Sequence, residues 1–199
     1  MYVLKKFNQL KSTIMKSVKS FAMIIVASFV LNAVNGQEKT VEVGGAAMYP
    51  SKNIVENAIQ SKDHTTLVAA VKAAGLVETL QGAGPFTVFA PTNAAFEMLP
   101  KGTVETLLKP ENKAMLSTVL TYHVVSGRID ATELTRLIKE GNGKAELKTV
   151  AGGKLWAYIQ GDKVMLMDEK GGAATVTIKN VYQSNGVIHV IDHVVLPKS

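Results

Sequence analysis

A change of pattern near Lys144 most constrains the fold of this 199-residue chain. From there to the C-terminus, β-like runs alternate with turn sequences such as AGG, GD, KGGA and SNG, which predicts a β-meander. The five runs are KAELKTV, KLWAYIQ, KVMLMDE, ATVTIKNVY and GVIHVIDHVVL. Because the half before Lys144 has mainly helical spacing, helices and strands are segregated along the chain. The sequence therefore predicts an α+β fold and disfavours a doubly wound parallel sheet.

The first half combines several helical segments with one clear strand. The segment NAAFEML follows Thr92, and DATELTRLI follows Asp130, each a residue that favours a helix N-cap. The run FTVFAP predicts a strand over residues 86–91 that is ended by proline. We expect folded structure to begin at Ser51, as the cap of KNIVENAIQ, and the chain to turn to β-structure at Tyr122.

Residues 1–36 have the layout of a secretory signal peptide. They contain five lysines and no acidic residue, followed by a 14-residue apolar run from Phe21 to Val34 and a small residue, Gly36. This run is shorter than the ~20 residues of a membrane-spanning helix, so we expect cleavage before Gln37 and no stable span afterwards. The alternative is an uncleaved anchor helix. Five of the net six positive charges lie in this segment, so the charge of the chain does not indicate nucleic-acid binding.

The rest of the chain is interpreted as a linker over residues 37–50 and one domain over residues 51–199. The linker is predicted from its weak periodicity and its Gly-Gly-Ala-Ala centre. The chain contains no cysteine, which excludes disulfides, thiolate metal sites, cysteine nucleophiles and a lipid-anchored cysteine. We therefore expect the hydrophobic core alone to hold this domain together, and a chain of this length is large enough for that.

No motif in the sequence indicates catalysis or a bound cofactor. A G-x-S-x-G nucleophile elbow, a complete phosphate-binding loop and an H-E-x-x-H zinc motif are all missing. The motifs of the sequence therefore give no indication of an enzymatic activity or of a cofactor.

The histidines are the remaining candidates for a site. His189 and His193 are four residues apart in an apolar run that predicts a central strand, which separates them by about 13 Å. One metal ion cannot bind both at that separation, and Asp192 faces the other side of the strand, so no metal site is predicted. We expect His189 and Asp192 to make structural hydrogen bonds. His64 lies in a polar segment and is expected to be exposed.

Three segments in order resemble the signature segments of fasciclin, or FAS1, domains. They are GPFTVFAPTNAAFEMLP (84–100), LTYHVVSGRI (120–129) and NGVIHVIDHVVLP (185–197). The resemblance implies a β-wedge or sandwich with flanking helices from the N-terminal half and a C-terminal β-meander. It also implies a small secreted or cell-envelope protein of bacterial type, a non-enzymatic module for adhesion that contacts an extracellular protein or polysaccharide.

The resemblance also implies a candidate contact site at Tyr122 and His123. On the predicted strand these two side chains face opposite ways, so the pair either makes buried hydrogen bonds or touches a partner. The segment GRID, residues 127–130, departs from Arg-Gly-Asp, which argues against integrin binding. A single domain would gain avidity only by oligomerisation, which the sequence leaves open, or by surface attachment. The four histidines and eight methionines suggest an alternative, an envelope protein that binds a small molecule such as haem.

Overall fold

A computed structural model of the protein describes residues 38–198. The signal peptide predicted for residues 1–36 lies outside the described residues. Among the residues that are described, no helix is both long enough and apolar enough to cross a membrane.

The helices of the first half begin and end where the local chemistry favours it. Thr92 accepts a hydrogen bond from the backbone N–H of Ala95, and Asp130 accepts two from the turn that follows it. The first helix is capped by Asn53 in a capping box with Glu56, two residues later than the predicted cap. The α-helices are α1 (Ile54–Ala58), α2 (Thr65–Ala74), α3 (Val77–Gln81), α4 (Asn93–Glu97), α5 (Thr103–Leu107), α6 (Lys113–Tyr122) and α7 (Ala131–Glu140).

Nine strands form a small hairpin and a seven-stranded sheet in the described part of the chain. They are β1 (Val41–Val43), β2 (Ala46–Met48), β3 (Phe86–Pro91), β4 (Val124–Ser126), β5 (Lys144–Lys148), β6 (Lys154–Gln160), β7 (Lys163–Met167), β8 (Ala173–Gln183) and β9 (Gly186–Ile191). The large sheet has the order β4-β3-β9-β8-β7-β6-β5. A bridge between Val125 and Thr149 connects its two edges, so the sheet is nearly closed.

Strand β9 lies inside the sheet between β3 and β8, which confirms the prediction that it is not an edge strand. It runs parallel to β3 and antiparallel to β8, and all six of its residues are buried. Both faces are covered, as expected for a strand with apolar residues on both sides. The meander from β5 to β8 is antiparallel throughout. Helices precede this meander along the chain, so the α+β class predicted from the sequence is confirmed.

Residues 41–48 form the β1–β2 hairpin, which differs from the loose linker predicted for residues 37–50. Gly44 and Gly45 turn the chain with φ values of 58° and 74°, the left-handed conformation that a tight two-residue turn requires. Val43 and Met48 are each only 3% exposed because the hairpin packs on the helical side of the protein. The strands have three residues each, too few for a clear alternation in the sequence.

The central sheet separates two apolar clusters. On one side, residues of β3 and β9 such as Val88 and Ile188 pack beneath the hairpin and helices α1 to α3. On the other side, Phe89 and Ile191 pack with α7 and the meander. Alternate residues of β3 therefore enter different clusters, as strand geometry requires.

Candidate functional site

Tyr122 and His123 lie at the junction of helix α6 and strand β4. Tyr122 is the last residue of the helix, and His123 has helical backbone angles of φ −81° and ψ −2°. The prediction that β-structure begins at Tyr122 is therefore wrong by two residues. The helix continues because Leu116 and Leu120, one turn apart, both pack into the core and carry the helical register to this point.

The Tyr122 side chain is completely buried and its hydroxyl has two backbone partners. The hydroxyl donates to the carbonyl of Lys154 at 2.6 Å and accepts from the N–H of Glu169 at 3.2 Å. Burial is the largest cause that raises the pKa of Tyr122, to about 12. The hydroxyl is thus neutral at physiological pH and ties the end of α6 to the start of β6 and to the turn after β7.

His123 is also buried, with 3% of its surface exposed, and both ring nitrogens are hydrogen-bonded. Nδ1 lies 2.8 Å from the carbonyl of Val119, and Nε2 accepts from the N–H of Val195 at 3.2 Å. A carbonyl cannot donate and an N–H cannot accept, so the proton is on Nδ1. Burial lowers the pKa of His123 to about 4, which keeps the ring neutral.

A buried carboxylate, Asp168, completes this side of the junction. Its two oxygens accept hydrogen bonds from the backbone N–H groups of Lys170, Gly172 and Leu196, at 2.7–2.9 Å. Asp168 therefore fixes both the β7–β8 turn and the C-terminal segment. The sequence does not indicate the bond to Leu196, because this donor lies 28 positions later in the chain.

The side chains of Tyr122 and His123 lie beneath the surface, and the turn after β5 lies against Tyr122. Thr149 and Gly153 close this turn with a backbone hydrogen bond of 2.9 Å, and Val150 donates to the carbonyl of Val124. A Cβ atom on Gly153 would lie 2.8 Å from the ring of Tyr122, so this tyrosine supports the turn from below. Val150 is 46% exposed and is the larger of the two apolar side chains, Val150 and Ala151, that this turn presents to solvent.

His189 and Asp192 make the structural hydrogen bonds predicted for them. Nε2 of the buried His189 lies 2.9 Å from the carbonyl of Ile129, and Asp192 accepts from the N–H of Thr175 at 2.6 Å. His193 is not on the strand, because β9 ends at Ile191, and its ring pairs with Asp192 at the surface. Within residues 38–198, no three metal-ligating side chains form a group that could hold an ion.

His64 is buried, with 3% of its surface exposed, so the prediction that it is exposed is wrong. It ends a 3-10 turn that packs against the β1–β2 hairpin, where Lys62 donates to the carbonyl of Gly44. Nδ1 lies 2.9 Å from the hydroxyl of Ser61, whereas Nε2 has no hydrogen-bond partner within the described residues. Burial lowers the pKa of His64, which favours the neutral ring.

A cavity of about 80 Å³ lies on the helical side of the sheet. Its walls come from the hairpin, helices α1 to α3, the end of α6, and strands β3 and β9, and they are almost entirely apolar. His64 and His123 both line it. The sequence gives no sign of this cavity, because its walls come from segments that lie far apart along the chain.

Known proteins resemble this chain in sequence and in fold. The sequence model of the fasciclin domain family matches residues 62–197. Protein sll1483 of Synechocystis sp. is 49% identical over 80% of this chain and 82% of its own length. Cell surface glycolipoprotein MPB83 of Mycobacterium bovis is 36% identical over 61% of this chain, which spans 48% of that protein. The structure of a FAS1 domain pair from the insect cell adhesion molecule Fasciclin I matches 80% of this chain and 58% of that one, with a TM-score of 0.66 at 15% identity.

Proposed function

Because this chain belongs to the fasciclin domain family, we propose that it is an exported adhesion or interaction module that contacts an extracellular protein or polysaccharide. Family membership carries the proposal, since the matched residues 62–197 include most of the described chain. A relative named as a cell surface glycolipoprotein and the predicted signal peptide at residues 1–36 support export.

The arrangement of Tyr122 and His123 supports a non-catalytic role. A general acid, base or nucleophile must reach a substrate, whereas these side chains are buried and their polar atoms are bonded to the backbone. We infer that Tyr122 holds the turn over residues 149–153 in place, and that this turn contacts the partner. Val150 is the proposed apolar contact, because an exposed side chain on a well-supported turn loses little entropy on binding.

Attachment of the full chain tests this proposal. Matrix proteins and polysaccharides from the native surroundings are immobilised, and the retained protein is measured over a range of concentrations. We expect saturable attachment by the folded chain and none by the heat-unfolded chain. Equal retention of the two forms, or no retention of either, would contradict the proposal.

Mass spectrometry of the exported protein tests the leader separately, and a first residue other than Gln37 would contradict the predicted cleavage.

Binding of a small molecule, the alternative from the sequence, is supported by the apolar cavity, but haem is too large for it. The cavity of about 80 Å³ holds only a few heavy atoms, whereas haem is a charged macrocycle. We therefore expect no shift of the Soret band at micromolar haem, and a shift that is lost in His64→Leu would contradict this expectation.

A further inference from the structure

Two buried histidines line the same cavity but differ in their hydrogen bonds. Both nitrogens of His123 are bonded to the backbone, through Val119 and Val195, so the ring has no polar atom left for a ligand. His64 uses Nδ1 for Ser61, and the carbonyl of Ala90 lies near enough to the ring to raise its pKa, but Nε2 makes no hydrogen bond of normal geometry with a described residue. Since an unpaired buried polar atom is unfavourable, Nε2 of His64 calls for a partner inside the cavity.

The walls of the cavity indicate what kind of molecule this partner is. The lining is aliphatic over most of its area, with side chains such as Met48, Ile54, Leu67 and Ile188. Among the described residues that line it, Lys72 alone carries a full charge, and its side chain is exposed at the surface. A charged ligand group would lose its hydration inside such walls without a buried counter-charge, which is unfavourable.

We propose that this cavity binds a small, uncharged, mainly apolar molecule through one hydrogen bond between a ligand hydroxyl or carbonyl group and Nε2 of His64. Ser61 fixes the ring, because its hydroxyl holds Nδ1 at 2.9 Å. If Ser61 donates, Nε2 carries the proton and donates to the ligand; if Nδ1 donates to Ser61, Nε2 accepts from a ligand hydroxyl. A hydroxyl group suits both tautomers, and the neutral state favoured by the lowered pKa of His64 suits an uncharged ligand.

The size of the cavity limits the buried part of the ligand. A volume of about 80 Å³ holds a few heavy atoms or a small ring. The exposed residues Lys72 and Val150 contribute to the lining, so the cavity reaches the surface and a larger ligand can extend outward. This inference does not depend on the adhesion function.

Phenol and toluene form a matched pair of probes, since they differ only in a hydroxyl against a methyl group. We expect both to bind the full chain in a titration followed by nuclear magnetic resonance. Phenol, but not toluene, should strongly shift the ¹⁵N resonance of His64 Nε2, while both ring nitrogens of His123 remain unchanged. This readout needs no substitution, so it stays decisive even if a variant fails to fold.

Substitution of His64 then isolates the hydrogen bond. The change His64→Leu should weaken phenol about 3- to 10-fold and toluene less than about 2-fold, because only phenol loses a polar partner. Val68→Phe, from a half-buried position in the wall, should fill the cavity and weaken both probes. Ala69→Phe, on the exposed side of the same helix, is the matched control and should weaken neither.

Several results would overturn the proposal. Equal ¹⁵N responses to phenol and toluene, or an equal loss of affinity for both in His64→Leu, would show that the ligand makes no hydrogen bond to His64. Failure of both probes to bind at their solubility limits would remove the cavity as a site. Tighter binding of benzoate than of phenol would contradict the proposal that the ligand is uncharged. A Soret shift of added haem that depends on His64 would show that Nε2 of His64 binds the haem iron instead.

Discussion

The backbone N–H of Val195 donates a hydrogen bond to Nε2 of His123, 3.2 Å away and 72 positions earlier in the chain. This bond joins the C-terminal segment to the end of helix α6. Together with the bonds of Tyr122 and Asp168, it makes the Tyr-His segment a structural junction. We therefore propose that this segment contributes to partner contact only indirectly, because it supports the turn over residues 149–153.

Removal of the Tyr122 hydroxyl should destabilise the protein. Tyr122→Phe keeps the ring but leaves the carbonyl of Lys154 and the N–H of Glu169 without this partner. We expect the free energy of unfolding to fall by about 1–3 kcal/mol in urea denaturation. The partly exposed Tyr158 supplies the control, and Tyr158→Phe should change stability by less than about 0.5 kcal/mol. An equal effect of both substitutions would contradict a special role for the Tyr122 hydroxyl.

Stability should depend on pH through the buried histidines. Burial lowers the pKa of His64, His123 and His189 below 6.5, and that of His123 to about 4. Between these values the unfolded chain binds more protons than the folded chain, so stability falls as the pH falls from about 6.5 towards 4. His123 contributes a slope of up to about 1.4 kcal/mol per pH unit in that window and none well above it.

The measurement is urea denaturation at a series of pH values between 8 and 4. The unsubstituted chain is the reference. His123→Gln should reduce the slope, because one buried titrating group is removed. A slope that is the same in His123→Gln and in the unsubstituted chain would show that His123 titrates normally in the folded state.

Replacement of the Asp168 carboxylate should lower the free energy of unfolding by more than its burial alone suggests. In Asp168→Asn an amide group replaces one oxygen, although backbone N–H groups of Lys170, Gly172 and Leu196 all point at this side chain. We expect a loss of about 1.5–3 kcal/mol in the free energy of unfolding. The exposed Asp162 supplies a matched control on the neighbouring turn, and a loss of the same size in Asp162→Asn would refute the assignment.

The local structure of much of the fold could be predicted because its signals lie within short segments. Strand β3 has the predicted bounds, and the caps Thr92 and Asp130 begin their helices as expected. The sequence predicts β-structure from Tyr122 because Val124 and Val125 follow it. In the structure, packing of the preceding helical turns decides the conformation of Tyr122. Local pattern is a weaker determinant than tertiary packing at such junctions.

The parts of the candidate site that could not be predicted depend on distant segments. His64 is buried because the β1–β2 hairpin packs beside its turn, which the polar residues next to His64 do not indicate. Val150 lies close to Val124 because the sheet is nearly closed. The cavity likewise needs residues from Val43 to Ile188 to be assembled. These contacts join distant segments and form only in the folded chain, so no local pattern in the sequence indicates them.

The exposed Val150 provides the most direct test of the proposed contact surface. Val150→Ser removes the apolar group that the turn presents, and Ile159→Ser is a matched control because the two side chains are 46% and 45% exposed. The measurement is the concentration for half-maximal attachment to the immobilised partner, with both variants first shown to be folded by circular dichroism. Our account predicts that Val150→Ser raises this concentration about 5- to 30-fold while Ile159→Ser leaves it within about 2-fold. Unchanged attachment in Val150→Ser, or an equal loss in Ile159→Ser, would contradict the proposal that the turn over residues 149–153 contacts the partner.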